Sequence, residues 1–385
     1  MKKRMIAAAA LVFSLFRVSA ETKIGAEISL NSGWMHLDSP LLKEKNFWYS
    51  SGNAKLKVDT ALFSAVKAYI EGGVSVSSVP ELVNPMTGET VLPAAVTEWS
   101  LNKAYLKWRL PWGIAGSRMG ISAGKMPLSW GYGLFYNAGD LIFGGDPMNS
   151  AGELSASSAS GMSFTAASLS DFRTSAEWIF ALSVPVPAGI QLEAVALPPF
   201  GTAGTSAYGR FGGRAMMNTG AGFLENFECG WLSDGDMAVQ KAYLALDGTL
   251  WLDYNLNSCA VFTKDDGFDR DGWQISASLS KILNIQTDVQ NHQLQLRAEA
   301  LWSPLAERLG VFGFASYQIT DSVSVSGTYI FCGLDGAKIV DNAHFAGITF
   351  GWEPLKALEI SVQGMMNCAE PDKLASVTAG IRWRY

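Results

Sequence analysis

Gln293-Leu294-Gln295-Leu296-Arg297-Ala298-Glu299-Ala300-Leu301-Trp302 alternates polar and apolar side chains. Leu294, Leu296, Ala298, Ala300 and Trp302 fall on one face of an extended chain. Gln293, Gln295, Arg297 and Glu299 fall on the other. This is the period-2 pattern of a β-strand with two unlike faces. It recurs at residues 250–256, where Leu250, Leu252, Tyr254 and Leu256 share a face. It recurs again at 273–280, at 323–332 and over the last twelve residues, where Ala375, Val377, Ala379, Ile381, Trp383 and Tyr385 oppose Ser376, Thr378, Gly380, Arg382 and Arg384. The fold class is all-β.

Turn signals separate these segments. Asp247-Gly248 reads as a tight hairpin, and Pro185–Gly189, Thr320–Ser322, Glu353–Lys356, Pro111–Gly113 and Asn218–Gly220 read as short connections. Longer polar stretches lie at 32–52, 77–96, 127–160, 263–271 and 334–342. Short turns at one end and longer loops at the other are how transmembrane barrels are built. The faces favour a barrel over a soluble sandwich. The polar face is Ser, Thr, Gln, Asn and Gly, and charged residues are only 17% of the chain, against roughly 25% in soluble domains. The apolar face carries Trp178, Trp273, Trp302, Tyr317, Phe331, Trp383 and Tyr385 near strand ends, as interfacial girdles do. About nineteen segments can be drawn as strands, and a bacterial barrel needs an even number. The expectation is a single transmembrane antiparallel β-barrel of about 18 strands, within 16–20, whose last strand pairs with the first near Ile24–Leu30. The weakest assignments are 127–160 and 281–293. No fixed-length repeat suggests a propeller.

Lys2, Lys3 and Arg4 precede an apolar run from Met5 to Phe16, and Val18-Ser19-Ala20 is a small-residue cleavage site. Residues 1–20 therefore read as a signal peptide cut near Ala20, and 21–385 as the barrel. Removing the peptide removes Lys2, Lys3, Arg4 and Arg17 and no acid, leaving 25 basic and 35 acidic residues. No later segment approaches the ~20 apolar residues of a membrane-spanning helix. No basic block supports nucleic-acid binding. Cys229, Cys259, Cys332 and Cys368 show no paired spacing of a metal or redox site; whether they form disulfides stays open.

The run Ala379-Gly380-Ile381-Arg382-Trp383-Arg384-Tyr385 resembles the terminal strand of outer-membrane barrel proteins, which the barrel assembly machinery reads. Gly124-Lys125-Met126-Pro127-Leu128-Ser129-Trp130-Gly131-Tyr132-Gly133-Leu134-Phe135-Tyr136-Asn137-Ala138-Gly139-Asp140 is similar to a stretch of porin-like barrels of the alginate-export and related types. Met126 stands where Gln is usual there, and Ala138 where Pro is usual. The resemblance implies an outer-membrane location and a porin-like channel, and it names no substrate.

No catalytic set is assigned. His36, His292 and His344 are far apart, no Gly-x-Ser-x-Gly elbow is present, and His344 reads as a loop or lumen residue. Glu225 and Glu228, at an odd offset, point to opposite faces. No metal set and no cofactor are implied; the acidic run 265–271 reads as a solvated loop tip. Charges on a lipid face cost ~2–4 kcal/mol near the midplane, so Lys103, Lys107, Arg109, Arg118, Arg210, Arg214, Arg297, Arg382 and Arg384 should line the lumen. The aromatic stretch within 127–160 should fold into the barrel mouth, with Asp140 and Asp146 facing the basic ladder of Lys103, Lys107 and Arg109. The expected function is passive diffusion of small hydrophilic solutes or ions, with weak anion preference. The alternatives are a surface adhesin or ligand-binding barrel and, third, a barrel hydrolase. Partners would be outer-membrane lipid, the assembly machinery through the terminal strand, and small hydrophilic solutes; association between copies stays open.

Overall fold

The computed structural model describes residues 22–38, 44–78, 95–114, 116–144, 176–187, 189–199, 209–286, 291–305, 308–334, 343–368, 371–372 and 374–385. The signal-peptide expectation, residues 79–94 and residues 145–160 of the long connection, with Asp146, lie outside them.

Eighteen strands follow one another: β1 (Thr22–Leu37), β2 (Asn46–Phe63), β3 (Val66–Ser78), β4 (Ala95–Ile114), β5 (Ser117–Met126), β6 (Glu177–Val186), β7 (Ile190–Leu197), β8 (Arg210–Ala221), β9 (Leu224–Asp234), β10 (Val239–Thr249), β11 (Asp253–Thr263), β12 (Gly267–Gln286), β13 (Asn291–Ser303), β14 (Arg308–Thr320), β15 (Val323–Leu334), β16 (Ala343–Leu355), β17 (Leu358–Asn367) and β18 (Leu374–Arg384). Each pairs antiparallel with its neighbour, and β18 pairs with β1 from Glu27↔Arg384 to Leu37↔Leu374. Ala26 and Tyr385 add a reciprocal pair of backbone hydrogen bonds of 3.0 and 2.8 Å. The sheet closes on itself and has no free edge, the condition for a strand protein to cross lipid.

The exterior is a lipid-facing surface. Ile28, Leu30, Leu56, Leu106, Trp108, Leu244, Leu256, Leu296, Ile348, Val377 and Ile381 are exposed on outward positions, while the inward Ser276, Ser278, Ser326, Thr349, Ser376 and Thr378 are buried. Trp302 pairs with Leu309 and Tyr317 with Leu294. The two exposed aromatics therefore stand about 27 Å apart along the strand at ~3.4 Å per residue, of the order of the apolar band of such barrels, about 25 Å.

The connections alternate as expected. Even-to-odd strands are joined by short turns at the end that holds both termini, and the longer connections lie at the other end. Several boundaries differ from the sequence reading, for two physical reasons. The first is bulging. The register slips between Ala61/Phe63, Arg109/Gly113, Asn218/Ala221, Gln318/Thr320 and Trp352/Leu355, all at the short-turn end. A bulge adds a residue to one strand and bends it. Pro111-Trp112-Gly113 and Asn218-Thr219-Gly220 thus belong to strand ends, and the reversals fall between Ile114 and Ser117 and at 222–223; the reversal near Glu353–Lys356 moves to 356–357. Asp247-Gly248 is also strand, within β10. Gly248 is required because a Cβ there would overlap the carbonyl oxygen of Phe223. The reversal falls at Leu250-Trp251-Leu252, whose apolar side chains imitate a strand because they face the membrane interface; Trp251 is 75% exposed.

The second reason is that strands run past the lipid. There both faces meet water and polarity no longer alternates. The stretch 32–52 shrinks to a connection between Leu37 and Asn46, and 263–271 shrinks to 264–266. Residues 281–286 continue β12. His344 sits on an outward position beside Tyr329, whose hydroxyl lies 3.0 Å from its Nδ1, rather than in a loop or the lumen.

Candidate functional site

The described part of the long connection, residues 127–144, turns into the barrel. Trp130, Phe135, Tyr136, Ala138, Leu141 and Ile142 are buried against inward side chains of the wall, among them Ile179, Val195, Leu232, Tyr243, Phe312 and Ile330. Phe135 stacks on Phe312 with ring centroids 4.6 Å apart. Burying a large apolar side chain is worth about 1.5–3 kcal/mol, so the inward fold of so aromatic a segment follows from its composition.

The loop is folded on itself by Asn137. Its Nδ2 donates to the carbonyl of Trp130 at 2.9 Å, and its Oδ1 accepts the N–H of Gly139 at 3.0 Å. Gly131, at φ +67°, allows this crossing. A Cβ there would lie 2.7 Å from Asn137 Oδ1 and 2.8 Å from the Cα of Gly139.

Polar side chains then join the loop to the wall. Asn257 on β11 pairs with Tyr132 as a peptide group would, accepting its N–H at 2.8 Å and donating to its carbonyl at 2.5 Å. Ser276 on β12 accepts the N–H of Ala138 at 2.8 Å. Glu299 on β13 accepts the N–H groups of Leu134, Phe135 and Tyr136 at 2.9, 2.7 and 2.8 Å. At the base of the loop, Arg214 donates to the carbonyl of Ser129 at 3.1 Å and lies over the Trp130 ring at 5.9 Å. It pairs with Glu228 at 2.5 Å and Glu193 at 3.0 Å. Glu193 also accepts the Trp130 indole N–H at 2.9 Å, and Glu228 the Tyr243 hydroxyl at 2.5 Å. Burial pushes the pKa of the Tyr132 phenol up, so it stays a neutral donor.

Of the residues expected in the lumen, Arg210, Arg214 and Arg297 hold the seated side. Arg210 donates to the carbonyl of Ile142 at 3.1 Å, and Arg297 pairs with Glu299. Lys103 lies 3.5 Å from Glu71, and Lys107 lies over the Tyr105 ring at 5.3 Å. Arg109 and Arg118 are exposed near the short-turn end of β4 and β5. Arg382 and Arg384 reach Glu359 at 3.5 and 3.0 Å. Asp140 is buried and accepts the N–H of Phe143 at 3.3 Å. Among the described residues no ion pair joins it to Lys103, Lys107 or Arg109. The loop's wall partners Asn257, Ser276, Glu193, Glu228 and Tyr243 carry no signal in the sequence beyond inward parity.

The barrel fold is shared with solved structures. OccK9 (OpdG) of Pseudomonas aeruginosa superposes with a TM-score of 0.56 at 9% identity, over 95% of this chain and 99% of that one. The chain has the fold of a porin. A BenF-like porin from Pseudomonas fluorescens Pf-5 gives a TM-score of 0.55 at 10% identity, over 96% and 99% of the two chains. OccK2 (OpdF) of Pseudomonas aeruginosa, solved in complex with glucuronate, gives 0.54 at 9% identity, over 95% and 97%. No family model and no curated protein matches the sequence. In this porin fold, the stretch 124–140 that resembles porin-like barrels is the end of β5 and the start of the inward loop. Met126 and Ala138, its two departures, are both buried.

Proposed function

We propose that the chain forms an outer-membrane channel through which small hydrophilic solutes or ions diffuse passively. The observation that carries this reading is the one-sided seating of the loop. It packs on inward side chains from β6 to β15, while beside it inward charged side chains of β2, β4 and β18, Lys57, Lys107 and Arg384, keep exposed surface. Barrels of this size have room for an aqueous path. No catalysis is assigned to the chain. His36 is tied to Asn46 and the carbonyl of Asp372, His292 is stacked on Tyr317, and His344 faces outward. β18, as the closing strand, is the segment proposed to be read by the assembly machinery.

Vesicles reconstituted with the folded protein should become permeable to small sugars and ions. Vesicles that stay tight around heat-modifiable, folded protein would favour a barrel that binds ligands at its surface.

The open side carries more cations than acids. Lys55, Lys57, Lys67, Lys103, Lys107, Arg382 and Arg384 are set against Glu27, Asp59, Glu71, Glu98 and Glu359. Lys67 and Lys107 stand directly opposite one another on β3 and β4, an unfavourable pair that a passing anion relieves. At physiological salt, charges beyond ~8 Å are screened, so this lining outweighs the acidic loops, and we propose weak anion preference. Reversal potentials in a KCl gradient should show it, and Lys107→Glu should shift them toward cations. A cation-selective wild type, or a variant with an unchanged potential, contradicts the assignment.

A further inference from the structure

We propose that Glu299 is the positioning residue that fixes the aperture of the channel, although it does not touch the solute. Its carboxylate is buried, with no part of the side chain exposed, on the inner wall. A buried carboxylate survives only where hydrogen bonds replace its water. Here three successive backbone N–H groups converge on it, a nest of the kind that holds anions, and Arg297 supplies the countercharge. The arrangement inverts the usual one: the wall provides the anion and the loop provides the nest. Among the described residues, the backbone–backbone hydrogen bonds of 127–144 stay within the loop, so side chains alone tie it to the strands. Of these, Asn257 and Ser276 are neutral and hold one residue each, and the charged Arg214, Glu193 and Arg210 each bind the loop through one hydrogen bond at its two ends, at Ser129, Trp130 and Ile142. Glu299 is charged and holds three successive residues, immediately before the loop crosses itself at Asn137. Bonds to a charged group are about twice as strong as neutral ones. The position of the loop, and with it the width left for solute, therefore depends on this side chain more than on any other single contact.

The test is Glu299→Gln in the full-length, membrane-reconstituted barrel, read by amide hydrogen exchange and by single-channel recording. A neutral amide offers one acceptor oxygen where the carboxylate offers two, and it leaves Arg297 without its partner. The amides of Leu134, Phe135 and Tyr136 should exchange roughly 10- to 100-fold faster, while those of β12–β14 keep their protection. Conductance should rise and the open level should become noisy. Wild-type protection of the three amides in the folded variant would overturn the proposal. Faster exchange with wild-type conductance would overturn the control of aperture. The conductance arm rests on the channel reading; a wild-type protein that never conducts sinks that reading, and the exchange arm still decides the anchoring. Should the Gln variant fail to assemble, Glu299→Asp keeps the charge but withdraws the oxygens by one methylene. It is expected to lose protection at the same three amides to a smaller degree, and full protection there counts against the proposal.

Discussion

Arg214→Ala is expected to destabilise the folded barrel by about 3–5 kcal/mol, the cost of removing one partner from a buried ionic group. The guanidinium serves two carboxylates at once, and neither reaches open water: Glu228 retains 1% and Glu193 8% side-chain exposure. Without it, two buried negative charges keep the Tyr243 and Tyr132 hydroxyls and the Trp130 indole N–H as donors but lose their countercharge. The loop base also loses its tie to the carbonyl of Ser129 and the cation above Trp130. The measurement is denaturant unfolding followed by the shift between folded and unfolded bands on gels. The double variant Arg214→Ala/Glu228→Gln should recover part of the loss, because residues in one network are not additive. A single variant as stable as the wild type would show that the carboxylates are solvated from the lumen.

The second large effect is expected at Gly131. Gly131→Val places a β-branched residue at φ +67°, a conformation costing of order 1–3 kcal/mol for such side chains. Its Cβ would also lie 2.7 Å from Asn137 Oδ1, 2.8 Å from the Cα of Gly139 and 3.0 Å from Asn257 Oδ1. The loop crossing and its bond to β11 cannot both survive. The loop should leave its seat, and conductance should rise sharply. Gly144→Val provides the contrast: φ is +92° there, but a Cβ would meet nothing within 4 Å. It should strain the backbone without unseating the aromatics and have a much smaller effect. Equal conductance in wild type and Gly131→Val would mean that the loop does not limit flow.

Barrel closure was legible because alternation is a local property. Residues 293–302 announce a strand with unlike faces, and the terminal run 374–385 does so again. Reading the turns failed where local chemistry serves two purposes. Gly248 is glycine because a neighbouring turn comes close, not because the chain reverses there. Leu250, Trp251 and Leu252 are apolar because they meet the membrane interface. The inward loop was legible from its aromatic content alone. Its fastenings were not, since Asn257, Ser276 and Glu299 look like any other inward polar residue, and only the fold brings them to residues more than a hundred positions earlier in the chain. Lys103 and Lys107 are legible as inward charges, but the partners Glu71 and Tyr105 depend on register.

The separation between ladder bonds and loop fastenings bears on the order of assembly. Every strand satisfies its backbone through its neighbours, and β1 with β18 completes the ring without help from residues 127–144. Closure therefore needs nothing from the loop, whereas the loop needs Asn257, Ser276 and Glu299 already side by side on three finished strands. Pairing of β11, β12 and β13 must therefore precede narrowing, and the speed with which the aromatic segment then docks sets how long the barrel stays wide.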